Sequence, residues 1–261
     1  MQNKKPQISL TSSALCGFGL FETMRNYNKK IVYFDKHLKR LEKSSRLIGL
    51  PNPYSQGQLK QIISKAVKQN NFKDAYIRLT LWKEDKGVGV YALVKKYKPP
   101  ASGVYKTGVS VTISRFSQSE GSLLANLKTT SRILYELSYS QAKQKGFWES
   151  IILNNRGIIA EASRNNIFFV KEDAIFTPSL SCGCLDGITR RVVFDLAKKY
   201  GFKIYEGNFT LQDLFNADEV FLTNSLAGIM PVSSIDKKRI GESRCGRITK
   251  LLIQKYNLLL K

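Results

Sequence analysis

Histidine is nearly absent from this chain: His37 is the only one in 261 residues. Cysteine is scarce as well, and Cys16, Cys182, Cys184 and Cys245 lie at spacings that suggest no disulfide framework. Cys182 and Cys184 flank a single glycine, as ligands in a metal site can, but zinc would need further cysteine or histidine ligands that the chain does not offer. No metal is expected, and the pair reads as small residues in a loop. Long apolar runs are missing too, so no segment is expected to span a membrane. The first residues, MQNKKPQISLTSS, lack the apolar core of a secretory signal, which makes the cytoplasm the expected location.

Negative charge is also in short supply. Twenty acidic residues against 42 Lys and Arg leave a formal net charge of +22. Such an excess can mark a nucleic-acid or anionic-membrane partner. Here the basic residues are spread along the whole chain, gathered in no arm or tail, and no RRM-like, zinc-finger or leucine-zipper signature accompanies them. A solvated surface that attracts small anionic substrates is the better reading. Nucleic-acid binding stands only as a rival from a different class. At 43% hydrophobic and 24% charged, the composition is that of a soluble globular protein with ample core for one large domain or two modest ones.

The patterning divides the chain. In the first part, FETMRNY and IVYF flank a polar turn at 26–30 and predict a hairpin. DKHLKRLEKSSRLIGL then places Leu38, Leu41, Leu47 and Ile48 near helical spacing, with Gly49 and Pro51 ending the run. A second helix is expected over about 59–69, followed by the strand AYIRLTLW. YALVKKYKPPASG, with Pro99 and Pro100, suits a linker. The expected division is a smaller domain over 1–97, a linker over 98–107 and a larger domain over 108–261.

The second part opens on the strand GVSVTI. A helix is expected over 128–145, with Ile133, Leu134, Leu137 and Ala142 on its apolar face. ESIIL, IIAEA, NNIFFV and IFTP then read as a meander of successive antiparallel strands. ITRRVVFDLAKKYG predicts a helix closed by Gly201, and the strand EVFLT and a C-terminal helix complete the chain. Strands mixed with helices in this order predict an α+β fold in two domains.

Two stretches point to chemistry. Glu161 sits inside IIAEASRNNIFFV, which otherwise reads as strand, and a half-buried carboxylate is costly unless a positive or proton-bearing group meets it. In LDGITRRVV a glycine turn opens directly into a helix, so the first-turn N–H groups of Ile188 and Thr189 and the helix dipole form an anion site suited to phosphate. Asp186 could instead cap that helix.

GFGLFETMR, HLKRL, LKTTSRILYEL, GIIAEASRNNIF, FTPSLSCGCLDGITR and VFLTNSLAGIMPV occur in an order that resembles the class IV aminotransferases, the fold-type IV pyridoxal-phosphate enzymes. The resemblance spans nearly the whole chain. It implies a D-amino-acid-aminotransferase-like architecture, a homodimer, and pyridoxal 5'-phosphate bound between the two domains. Lys128 falls on the family's Schiff-base position, as the residue that holds the cofactor and shuttles the Cα proton. Glu161 falls on the carboxylate that faces the pyridine nitrogen, which would supply its missing partner. The phosphate would be held by Arg40, the Ile188 and Thr189 amides and Ser225. Arg78 and Asn224 would meet the substrate, a small anionic molecule with an amino group. His37, one turn before Arg40, is assigned no catalysis.

Within the family, Phe21 stands where the D-amino-acid branch uses Tyr, Leu81 or Trp82 where that branch has Arg, and Phe18 where many members have Asp. TNSLAGIMPV and TPSLSCGCLDGITRR resemble aminodeoxychorismate lyases, so the first expectation is release of pyruvate from 4-amino-4-deoxychorismate to give 4-aminobenzoate in folate biosynthesis. The alternative is an aminotransferase of the branched-chain type, which shares Arg78 and the Lys–Glu pair.

Overall fold

The computed structural model describes residues 15–28, 30–242 and 245–260, so the opening stretch read for a signal lies outside the described residues. The chain forms two compact units. The first comprises residues up to Lys96 together with Lys128–Ser131, and the second comprises Tyr97–Leu127 and everything from Arg132. The expected linker over 98–107 falls within the second unit, and a four-residue segment bearing Lys128 groups with the first.

In the first unit, β1 (Gly19–Tyr27) pairs antiparallel with β2 (Lys30–Ile31), as the hairpin pattern predicts. The helices α1 (Phe34–Leu47) and α2 (Gln56–Asn70) follow, and the strands β3 (Asp74–Lys83) and β4 (Val88–Lys96) close a sheet of order β2-β1-β3-β4. Period-2 alternation decides the core. Leu20 and Met24 of β1 and Ala75, Ile77, Leu79 and Leu81 of β3 face inward and meet Leu38 and Leu41 of α1 and Leu59 and Ile63 of α2. Leu47, expected on the inner face of α1, is 50% exposed. Ser55 and Gln58 form a reciprocal capping box that starts α2 three residues before its expected beginning.

The second unit begins with the short helix α3 (Val104–Thr107) and the strand β5 (Val109–Ile113). The helix expected over 128–145 is only α4 (Ile133–Gln144). Thr129 instead bridges β1 opposite Leu20: the Phe21 N–H donates to the Lys128 carbonyl (2.9 Å) and the Thr130 N–H to the Gly19 carbonyl (2.9 Å). β-branched Thr129 and Thr130 suit that pairing better than a helix. The buried face of α4 is Tyr135, Ser138 and Ala142, while Ile133 and Leu137 are exposed.

The remaining elements are β6 (Glu149–Leu153), β7 (Ile159–Ala162), β8 (Asn166–Lys171), β9 (Ala174–Pro178), α5 (Ile188–Lys199), β10 (Ile204–Gly207), α6 (Leu211–Phe215), β11 (Glu219–Asn224), β12 (Gly228–Ile235), β13 (Lys238–Arg239) and α7 (Arg247–Leu260). They build a sheet of order β10-β9-β8-β11-β12-β5-β6-β7, with β13 beside β12. The expected meander is interrupted. β6 pairs with β7 and β8 with β9, but β8 takes β11 as its other neighbour rather than β7. The break falls at a tight turn in which Ala162 and Asn165 exchange backbone hydrogen bonds. Gly201 follows the end of α5 at φ +74°, a conformation glycine adopts readily. The α+β class stands. No helix among the described residues is long and apolar enough to cross a membrane.

In the second unit Phe168 is fully buried and stacks on Phe221 with ring centroids 5.0 Å apart. Phe168→Ala should destabilise this unit by about 3–5 kcal/mol through lost contacts and the cavity left behind. In a Trp82→Phe background, Trp148 fluorescence on urea unfolding would report it.

Candidate active site

In the first unit, burial of a carboxylate organises the residues around it. Glu22 lies on the inward face of β1 and is 1% exposed. It accepts the His37 Nδ1–H at 2.7 Å and, bidentately, Arg40 Nε at 2.8 Å and Nη2 at 2.6 Å. Burial alone would raise the Glu22 carboxyl, but the adjacent Arg40 charge and the hydrogen bonds from His37 and Arg40 prevail and bring it from 4.5 to about 2. His37 is held below its ordinary 6.5, chiefly by burial. Sequence reasoning placed Arg40 here without the carboxylate that fixes the plane of its guanidinium.

The opposite face of the same sheet holds a second cluster. Phe21 presents its ring to two cations, with the Arg78 guanidinium carbon 3.7 Å and the Lys128 Nζ 4.6 Å from its centroid. Arg78 points away from buried Ile77 and Leu79, as alternation requires, and its Nε donates to Thr80 Oγ1 at 3.3 Å. The Lys128 and Arg78 singled out in the sequence thus share one aromatic neighbour.

In the second unit Glu161 lies opposite Ile152 on β7 and is 5% exposed. The fold meets it with three donors: the Leu185 N–H (3.2 Å), Asn166 Nδ2 (3.3 Å) and the Tyr135 hydroxyl. Tyr135 in turn accepts from Gln118 Nε2 at 2.9 Å. Burial, followed by the Glu161 charge, pushes the Tyr135 hydroxyl well above its usual range, so it remains a donor. Neither Tyr135 nor Asn166 was singled out from sequence, although two successive asparagines ahead of IFFV were a signal.

Asn166 also donates to the Leu185 carbonyl at 2.7 Å, tying the carboxylate to the turn before α5. A Cβ at Gly187 would meet Asn166 Oδ1 at 2.0 Å, so only glycine fits there. Gly187, not Asp186, is the N-cap, and no side chain caps the helix. Asp186 is engaged by Arg191 instead. The amides of Ile188 and Thr189 therefore open the helix without a side-chain acceptor, and the Thr189 hydroxyl, in a residue 2% exposed, has no hydrogen-bond partner among the described residues. Cys182 and Cys184 are buried behind this turn; Cys182 Sγ lies 3.1 Å from Asn208 Oδ1, and burial pushes the Cys184 thiol up. Ser225 follows β11 in a turn. Asn224 uses its side chain within the protein: its Nδ2 donates to Asn165 Oδ1 (2.7 Å), and its Oδ1 accepts from the Leu226 and Ala227 amides (2.9 and 2.7 Å).

The pattern that defines amino-transferase class IV matches residues 19–235. The chain is 30% identical to the branched-chain-amino-acid aminotransferase of Pseudomonas aeruginosa, over 95% of this chain and 85% of that one. It is 31% identical to that of Escherichia coli K12, over 96% and 87%. Among solved structures it is similar to the branched-chain amino acid aminotransferase of Escherichia coli (TM-score 0.91, 27% identity, covering 98% of this chain and 90% of that one). A further branched-chain amino acid aminotransferase, solved with pyridoxamine 5'-phosphate, matches at TM-score 0.92 with 26% identity, covering 100% and 91%. A provisionally assigned 4-amino-4-deoxychorismate lyase from Legionella pneumophila shares the fold at TM-score 0.90 with 23% identity, covering 98% and 97%. The chain belongs to the class IV aminotransferase family, with the fold-type IV architecture, and is a pyridoxal-phosphate-dependent enzyme.

The residues present suit that cofactor. A buried hydroxyl without a protein partner and an uncapped helix N-terminus match a phosphate, and a fixed buried carboxylate matches a protonated ring nitrogen.

Because the Glu22 carboxyl lies below its unfolded value, its contribution is full above about pH 4.5 and is lost as pH falls toward 2. Glu22→Gln should destabilise the first unit at pH 7 by on the order of 3 kcal/mol. The gap between wild type and variant should close between pH 4.5 and 2. Urea titrations followed by Trp82 fluorescence in a Trp148→Phe background would measure it. The His37 lowering adds a separate decline below pH 6.5, steeper in the variant, where the Glu22 carboxylate no longer opposes it, so the gap widens there before titration of Glu22 narrows it.

Proposed function

We propose that this chain is an aminotransferase that takes branched-chain amino acids, acting as a homodimer in the cytoplasm. The observation that supports it most is the 30–31% identity, over nearly the full chain, to branched-chain-amino-acid aminotransferases. The lyase was the first expectation from the motifs TNSLAGIMPV and TPSLSCGCLDGITRR. The likeness to a lyase structure stands at 23% identity and speaks for the fold alone, so the aminotransferase alternative is preferred.

On this reading, bound pyridoxal phosphate supplies the electron sink for the bond broken at the substrate Cα. Lys128 would hold the cofactor covalently, and its amine would take the proton from the substrate Cα. Its approach along the Phe21 ring keeps the amine beside an apolar, weakly attractive face. Glu161 keeps a proton on the ring nitrogen, and Tyr135, Asn166 and the Leu185 amide keep Glu161 oriented for it. Arg40, held in plane by Glu22, would hold the phosphate, as would the Ile188 and Thr189 amides and Ser225. Arg78 receives the substrate carboxylate, and Asn224 serves recognition through the loop that its side chain shapes. The +22 charge favours capture of anionic substrates and of the cofactor's phosphate.

A single-turnover assay separates the readings. Protein loaded with pyridoxal phosphate should convert L-leucine, L-isoleucine or L-valine to its keto acid, one equivalent per subunit, with no second substrate. Pyruvate formed from 4-amino-4-deoxychorismate without any keto-acid acceptor, and no turnover of the amino acids, would restore the lyase.

A further inference from the structure

Glu149 is the third buried carboxylate among the described residues, after Glu22 and Glu161, and has no part in the reading above. It opens β6, is 1% exposed, and accepts the Ser150 N–H (2.9 Å), the Ser163 hydroxyl and Asn165 Nδ2. Burial pushes its carboxyl up against those three hydrogen bonds. Its Oε2 accepts from Asn165 Nδ2, Asn165 Oδ1 accepts from Asn224 Nδ2, and Asn224 Oδ1 accepts from the Leu226 and Ala227 amides.

The polarity of this line is fixed from both ends. The Glu149 oxygen facing Asn165 is an acceptor, whether the group is ionised or holds its proton on the oxygen toward Ser163. Asn165 must then offer its NH2 to Glu149 and its carbonyl to Asn224. Asn224 in turn must offer its NH2 to Asn165 and its carbonyl to the loop. At the far end, the Leu226 and Ala227 amides can only donate, which demands the same orientation. Reversing either asparagine would set donor against donor and acceptor against acceptor, at a site where Glu149 and Asn165 are nearly sealed from water. Two adjacent asparagines divide the work: Asn166 serves Glu161, and Asn165 serves this line.

We propose that Glu149 is a positioning residue that, through Asn165 and Asn224, sets the conformation of the turn at residues 224–227 and hence the direction in which Ser225 faces its ligand. The second half of this proposal rests on the reading of Ser225 as a phosphate holder. Glu149→Gln tests it, because neither orientation of the new amide works. One sets its NH2 against the Ser150 N–H, the other against Asn165 Nδ2.

Hydrogen exchange of the cofactor-free full chain should show the Leu226 and Ala227 amides exchanging about tenfold faster or more in the variant, as expected for a broken buried hydrogen bond. The Val220 and Leu222 amides of β11 should be unchanged. Pyridoxal phosphate affinity, read from absorbance titration, should fall by a similar factor while affinity for pyridoxal, which lacks the phosphate, holds. Asn165→Ala, which cuts the line at its middle and leaves Glu149 in place, should give the same pattern if Glu149→Gln does not fold. Unchanged exchange at residues 226 and 227, or exchange raised evenly through the second unit, would overturn the proposal. If exchange rises locally but wild type binds pyridoxal phosphate no better than pyridoxal, the relay stands and the phosphate role of Ser225 falls.

Discussion

A carboxylate buried in a sheet has to be met by donors, and the architecture around Glu161 follows from that requirement. An unpaired charge there would cost several kcal/mol, by the order of penalties for buried ions. Three donors from three parts of the chain converge on it: the Tyr135 hydroxyl from α4, the Asn166 amide from β8 and the Leu185 N–H from the turn before α5. Asn166 packs so close to Gly187 that no other residue fits, and that glycine leaves the N-terminus of α5 without a side-chain cap. The group that fixes the carboxylate thus also shapes the turn that opens α5.

The first unit solves the same problem with formal charge. Glu22 is answered by Arg40 and His37, and the bidentate grip immobilises a guanidinium that would otherwise sample many rotamers. On the other face of that sheet Lys128 is held by backbone pairing between its segment and β1 rather than by a helix. That pairing fixes the backbone from which the Lys128 side chain projects. Phe21 then gathers Lys128 and Arg78 around one ring.

Much of the fold was legible because it obeys simple periods. β3 alternates as its sequence does, and α1 and α5 begin and end close to where their patterns indicate. The errors share a physical cause, which is pairing between distant segments. Local propensity extended α4 back to Lys128, but β1 claimed that stretch, and a continuous meander was expected where β8 instead joins β11. In the site, an out-of-place Glu161 pointed to itself. The same reasoning would have found Glu22, which shares its inward register with Leu20 and Met24, and Glu149, which heads ESIIL. Arg40 and Ser225 could be named only through family resemblance, since a basic residue on a helix or a serine in a loop is too common to stand out, whereas the glycine turn opening into a helix pointed to Ile188 and Thr189. Tyr135 needed the structure, because its hydroxyl reaches Glu161 only once α4 has packed.

On the proposed reading, one lysine among many is the covalent attachment point for pyridoxal phosphate. Borohydride reduction of the protein loaded with the cofactor, followed by peptide mapping, addresses it directly. A single modified peptide is expected, with the label on Lys128 and the visible absorbance of the bound cofactor lost on reduction. Label scattered over surface lysines, or no retained label at all, would contradict it.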